Sequence, residues 1–138
     1  FDVTGLDLSQ GNIAYAKAHF KGRYEVRNVV EEDLTDLGSF GVVVLCDTLE
    51  HVRVADRAKF LKNLSHVTEN RCVLLASFPD GDYLDFIRSS RPETLQPVDE
   101  HVSRYWLREA LSTYGFKLAQ TNIYDGGQGW CVKYTRGF

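Results

Sequence analysis

The chain has no methionine among its 138 residues, and only 3 prolines and 3 cysteines. It opens at Phe1 without an initiator, so a cut or an unrecorded segment is expected upstream. Cys46, Cys72 and Cys131 are odd in number and far apart. That pattern suits reduced, buried thiols of a cytosolic protein rather than disulfide partners. No short-spaced cysteine pair and no histidine cluster exists, so a structural zinc site has no support. There is no apolar run of about 18 residues to span a membrane. No charged-then-apolar leader marks the chain for export, and a cytoplasmic place is expected. Positive charge is not in excess: 16 Lys and Arg stand against 19 Asp and Glu, a net charge of -3. A nucleic-acid backbone is therefore a poor partner, since phosphates need a clustered basic face. G-x-S-x-G and G-x-x-x-x-G-K-[ST] are both missing, which removes the serine-hydrolase elbow and the phosphate loop.

What remains is ordinary for a soluble globular protein, with 43% hydrophobic and 25% charged residues. The length suits one domain over 1–138, burying roughly two-thirds of the unfolded chain's surface. Its centre is Phe40 to Val52, FGVVVLCDTLEHV. Phe40 to Leu45 is an unbroken apolar run rich in β-branched valine, which predicts a strand buried on both faces, as in a parallel sheet. Val42 to Val44 and Val73 to Leu75 are expected inside. Ligands of open α/β sheets collect beyond the carboxyl ends of the strands, and Cys46, Asp47, Glu50 and His51 stand there.

Elsewhere, Val3 to Asp7 reads as a short strand ending in an acid. Ser9 is placed to cap a helix with an apolar stripe of Ile13, Ala16 and Phe20. Tyr24 to Val30 reads as a strand closed by Glu31, Glu32 and Asp33. Asp56 is a candidate cap for a helix burying Phe60, Leu61, Leu64 and Val67. Cys72 to Phe78 is a further strand, stopped by the turn residues Pro79, Asp80 and Gly81. From Asp82 to Glu100 at most one helical turn is expected, then a loop over the sheet. Ser103 is placed to cap a last helix ending at Gly115, and Phe116 to Tyr124 with Trp130 to Tyr134 make a hairpin. This order predicts an α/β, Rossmann-like fold: a mostly parallel sheet, helices on both faces and a terminal hairpin adding one antiparallel strand.

FGVVVLCDTLEHV resembles the fourth strand and following turn of class I S-adenosylmethionine-dependent methyltransferases. VTGLDLS is similar to the second strand of that family, and DEHVSRYWLREALSTYGF to its late helix. The resemblance departs in two places. Gly41 stands where the family usually has an aspartate. The family's first strand and glycine-rich turn are absent, which implies roughly 30 or more residues before Phe1, a strand and a crossover helix. That strand would lie between the strands ending at Asp7 and Leu45, so those two are not expected to pair. The late glycines, Gly126, Gly127 and Gly129, are no substitute for the lost turn, because no helix N-terminus follows them.

The resemblance implies S-adenosylmethionine as cofactor, with Asp7 accepting from the ribose hydroxyls and Leu8 against the adenine. Asp33 would meet the adenine amino group and Leu34 would add a backbone contact, with Glu32 and Asp36 as rivals for the acid. Cys46 and Asp47 would lie near the methionine part. Each has a plainer reading beside it: a capping or turn aspartate for Asp7, a solvated turn for Asp33, a packing thiol for Cys46. His51 is a candidate general base, since imidazole titrates near pH about 6.5. It is also a candidate for holding its turn by a hydrogen bond, with no part in the transfer. His101, in a second Glu-His pair, is the rival base. Tyr83, Tyr105 and Trp106 are candidates for a substrate wall, or for core.

The expected activity is methyl transfer to oxygen or nitrogen of a small molecule or saccharide. Two alternatives stand beside it: a non-catalytic Rossmann-like binding or scaffold domain, and a nicotinamide-dependent oxidoreductase, which leaves Leu49-Glu50-His51 and the hairpin unexplained. Neither a nucleic-acid nor a membrane partner is expected, and the sequence is silent on oligomeric state.

Overall fold

A computed structural model describes residues 1–138. Six strands, β1 (Thr4–Asp7), β2 (Arg23–Val26), β3 (Phe40–Cys46), β4 (Thr68–Pro79), β5 (Lys117–Tyr124) and β6 (Gly129–Arg136), alternate with four α-helices. The helices are α1 (Gln10–His19), α2 (Arg57–His66), α3 (Gly81–Ser90) and α4 (Arg104–Ser112). β1 and β2 form a parallel pair, and the other four strands a sheet in the order β3-β4-β6-β5. β3 runs parallel to β4, while β6 is antiparallel to both β4 and β5. This is the α/β, Rossmann-like arrangement read from the sequence, with its single antiparallel strand. No helix is long and apolar enough to cross a membrane.

The core follows from strand periodicity. Cys72, Leu74, Ala76 and Phe78 of β4 point to one face, joined by Val132 and Tyr134 of β6. Phe60, Leu61 and Leu64 of α2 and Leu107 and Leu111 of α4 belong to the same cluster of 17 buried residues. Burial pushes the Cys72 thiol and the Tyr134 phenol up, the latter to about 12. Local signals behave as read. Ser9 accepts from the Asn12 amide and Ser103 from the Trp106 amide, and Gly115 ends the last helix at φ 79°.

Six expectations change. Val42 and Val44 are exposed, because they stand on the face of β3 away from the core and β3 is the edge of its sheet, exchanging no hydrogen bonds with β1. Between them lies an apolar cleft of ≈ 280 Å³, flanked by Gly5 and Leu6 on one side and Val42 to Leu45 on the other. β2 stops at Val26, because Asn28 turns the chain: its Oδ1 accepts from the amides of Val30 and Glu31. The residues after Asp80 form a helix of 10 residues rather than one turn, capped by Asp80 and burying Leu84 and Ile87. Phe20 is exposed beyond its helix, and Asp56 precedes α2 without a side-chain cap. All three cysteines are free, but Cys46 is exposed rather than buried.

A cleft beside the central turn

β3 delivers its turn to the carboxyl end of the sheet, and Asp47 there takes φ 43°, a left-handed conformation that aspartate tolerates better than most residues. It is pinned by β4: its amide donates to the Ser77 carbonyl at 3.1 Å, and the Ser77 hydroxyl donates to Asp47 Oδ1 at 2.8 Å. Tyr124 Oη donates to the same oxygen at 3.2 Å. Burial and the Asp47 charge hold the Tyr124 phenol well above its usual range.

Leu49 to His51 then form a single tight turn that buries Leu49 and Glu50. The loop between α3 and α4 is stapled against it. Glu100 N–H donates to the Glu50 carbonyl at 2.9 Å. His51 Nδ1 lies 2.9 Å from the Val98 carbonyl and 3.1 Å from Asp99 Oδ1. Both neighbours are acceptors, so in the neutral ring Nδ1 carries the proton and Nε2 keeps its lone pair. Arg57 closes the staple. Its guanidinium is buried and donates to the carbonyls of Leu49, Val52, Glu100 and His101. Burial lowers its affinity for the proton, while Glu100 and Glu50 oppose that.

These elements bound an open cleft of ≈ 400 Å³. Asp47, Glu50, His51 and Asp99 line it, together with Tyr83, Leu84 and Ile87 of α3. Glu50 is only 2% exposed, and burial pushes its carboxyl up to about 7.

The candidate residues separate into three places. Asp7 and Leu8 follow β1, across the apolar cleft from β3. Asp7 is half-buried and oriented by the Ser9 amide at 2.8 Å and the Asn12 side-chain amide at 3.0 Å. Each carboxylate oxygen keeps a second lone pair, and Leu8 beside it is 67% exposed. Cys46 and Asp47 stand at the corresponding end of β3. Asp33 is exposed and accepts from the Thr35 amide, which holds its carboxyl below the usual range. Leu34 is buried in the core. Among the rivals, Asp36 is taken by Arg27 in a two-point ion pair, and Glu32 forms an ion pair with Arg27 and accepts from the Asn28 amide. His101 lies elsewhere: its ring packs on Gly81 and its Nε2 meets Asp85 at 2.8 Å, outside the cleft lining. Of the aromatics, Tyr83 lines the cleft, Tyr105 is exposed, and Trp106 packs on the core.

Reading the sequence missed Arg57 and Asp99. Asp99 precedes the Glu-His pair that was singled out, and an acid there was the available signal. Nothing about Arg57 in a helix sequence announces burial.

The fold has many solved counterparts. A methyltransferase from Methanosarcina mazei described as SAM-dependent is 17% identical, with 98% of this chain and 82% of that one covered at a TM-score of 0.77. A Mesorhizobium loti S-adenosylmethionine-dependent methyltransferase is 16% identical over 98% and 80%, also at 0.77. The magnesium protoporphyrin IX methyltransferase of Synechocystis PCC 6803, solved with bound S-adenosylhomocysteine, is 17% identical at 0.75. This chain covers only 64% of that protein's length. At such identities the likeness speaks for the fold alone. No curated protein matches the sequence. The model of a methyltransferase domain, however, matches residues 1–76, from β1 through the turn of Glu50 and His51 into β4, and by that match the chain belongs to the methyltransferase-domain family.

Proposed function

We propose that this chain transfers a methyl group from S-adenosylmethionine to oxygen or nitrogen of a small molecule or a saccharide, and that the cleft under α3 receives the acceptor. The observation behind this reading is the His51 ring, whose Nδ1 is engaged by Val98 and Asp99 while the residue lines the cleft. That leaves Nε2 to take a proton from an acceptor held nearby, and the Asp99 carboxylate steadies the imidazolium that forms. Asp7 and Leu8 would hold the ribose and adenine, Asp33 and the Leu34 backbone the far edge of the base, and Cys46 and Asp47 the methionine end. When bound, the cofactor supplies an activated methyl on a sulfonium. The protein's own contribution is then alignment, which for such displacements supplies much of the rate.

Calorimetric titration with S-adenosylhomocysteine tests the cofactor half. Asp7→Ala is expected to weaken binding by about 1.5–3 kcal/mol, about ten- to a hundredfold, through lost charge-assisted hydrogen bonds. Asp7 fills no core volume, so the fold survives with a frayed start to α1. Unchanged affinity in the variant would place the cofactor elsewhere.

A further inference from the structure

The cleft under α3 has a one-sided charge. Asp47, Glu50, Asp99 and Asp125 line it, and no lysine or arginine does. Surface carboxylates commonly do no more than face water, but Glu50 does not face water. It is 2% exposed, its Oε1 is 3.9 Å from His51 Nε2, and its Oε2 accepts no hydrogen bond. A buried carboxylate oxygen without a donor is costly, and a protein normally supplies one. The nearby guanidinium of Arg57 is not that donor, because its bonds go to four backbone carbonyls. Glu50 also lines the cleft, so a donor held there would supply the hydrogen bond that the protein does not. Tyr83, Leu84 and Ile87 of α3 also line the cleft and add apolar and aromatic surface to it.

We propose that the cleft is a binding site for a cationic amine, its ammonium head donating to Glu50 Oε2 and Asp99 and its apolar body lying along α3. The site discriminates by charge: an ammonium gains charge-assisted hydrogen bonds, a hydroxyl gains weaker ones, and a carboxylate is repelled. The proposal rests on the methyl-transfer reading only in making the amine the acceptor; the binding rests on the cleft alone.

Three probes of one shape, phenethylammonium, 2-phenylethanol and phenylacetate, test this by calorimetry or ligand-observed NMR on the full chain at about pH 8, where Glu50 is ionised. Phenethylammonium is expected to bind at least about tenfold more tightly than 2-phenylethanol, and phenylacetate not at all. Glu50→Gln should bring the ratio close to one. Should that variant fold poorly, Asp99→Asn, at the second carboxylate of the contact, should reduce the ratio severalfold. Equal affinity for amine and alcohol, preference for phenylacetate, no binding of the amine, or full selectivity in the variants would each overturn the proposal. None of these outcomes bears on the titration with S-adenosylhomocysteine, whose own failure would leave the amine result standing.

Discussion

At the scale of single residues, His51 carries the sharpest alternative, because the contacts that fix its tautomer also tie its turn to the Val98–Asp99 segment. As a base, His51→Gln should retain cofactor affinity and lose about 10²–10⁴-fold in transfer rate. As a strut, it should lower the melting temperature and leave the rate of the folded fraction close to normal. Single-turnover rate and melting curve on one preparation decide between them, and a full-rate, less stable variant would end the base reading. Glu50 gives a second prediction, with a definite sign. Folded, it holds its proton to about pH 7; unfolded, it lets go near 4.5. Between those values the folded state binds more protons, so this group's stabilisation is complete below about pH 4.5 and is lost as pH rises through about 7. The full loss is about 3 kcal/mol at about 1.4 per pH unit of separation. Glu50→Gln should therefore show a flatter urea-unfolding stability between pH 5 and pH 8 than the parent, and parallel profiles would refute it. The place of His51 was legible in the sequence, because the apolar run ahead of it sets it beyond the carboxyl end of a strand, where it lines the cleft. The burial of Glu50 was not legible, since an acid in a polar turn normally faces water and only the loop laid across it decides otherwise.

At the scale of elements, the apolar run of β3 announced a strand but not its place at a sheet edge, because a run of valines records what a strand tolerates rather than what it touches. Val42 and Val44 are exposed for that reason. The ten-residue α3 was equally present in the spacing of Tyr83, Leu84 and Ile87, yet with Pro92 and Pro97 nearby the stretch reads as one helical turn and a loop. What neither pattern displays is the joint between the Glu50 turn and the following loop, which hangs on Arg57. Its planar fork meets carbonyls on both sides at 2.6 to 3.1 Å, a geometry that an ammonium does not reproduce. Arg57→Lys is expected to cost about 2–4 kcal/mol, as several buried carbonyls lose their donor together. The loop over 91–103 should become the first site of limited proteolysis in that variant. A variant as stable and protease-resistant as the parent would show the joint to be held by packing instead.

At the scale of the whole molecule, burial is uneven. Ile13 is the one buried side chain before Leu34, whereas the 17-residue core draws on every later strand except β5 and on both α2 and α4. The unit of β1, α1 and β2 joins the rest through Leu6 against the core and through Asn63, whose amide donates to the carbonyls of Val29, Val30 and Glu32. No backbone bonds cross from β1 to β3. Local opening needs little buried surface to be exposed, so amides of β1 and α1 should exchange with solvent at a lower free energy than those of β4 and β6. This unevenness also gives a test of the proposed cofactor place that needs no turnover. A ligand touching Asp7 on one side and Cys46 and Asp47 on the other spans both sheets. It loses half its contacts whenever the first unit opens. At a hundred times its dissociation constant, S-adenosylhomocysteine should then raise the opening free energy of β1 and α1 by about 2.7 kcal/mol. The gain should appear in β1 and α1 ahead of local openings that leave the bridge intact, such as fraying of β5. If the ligand protects the four-stranded sheet but leaves β1 and α1 exchanging as before, it does not bridge the two, and Asp7 has only its local task of holding the start of α1.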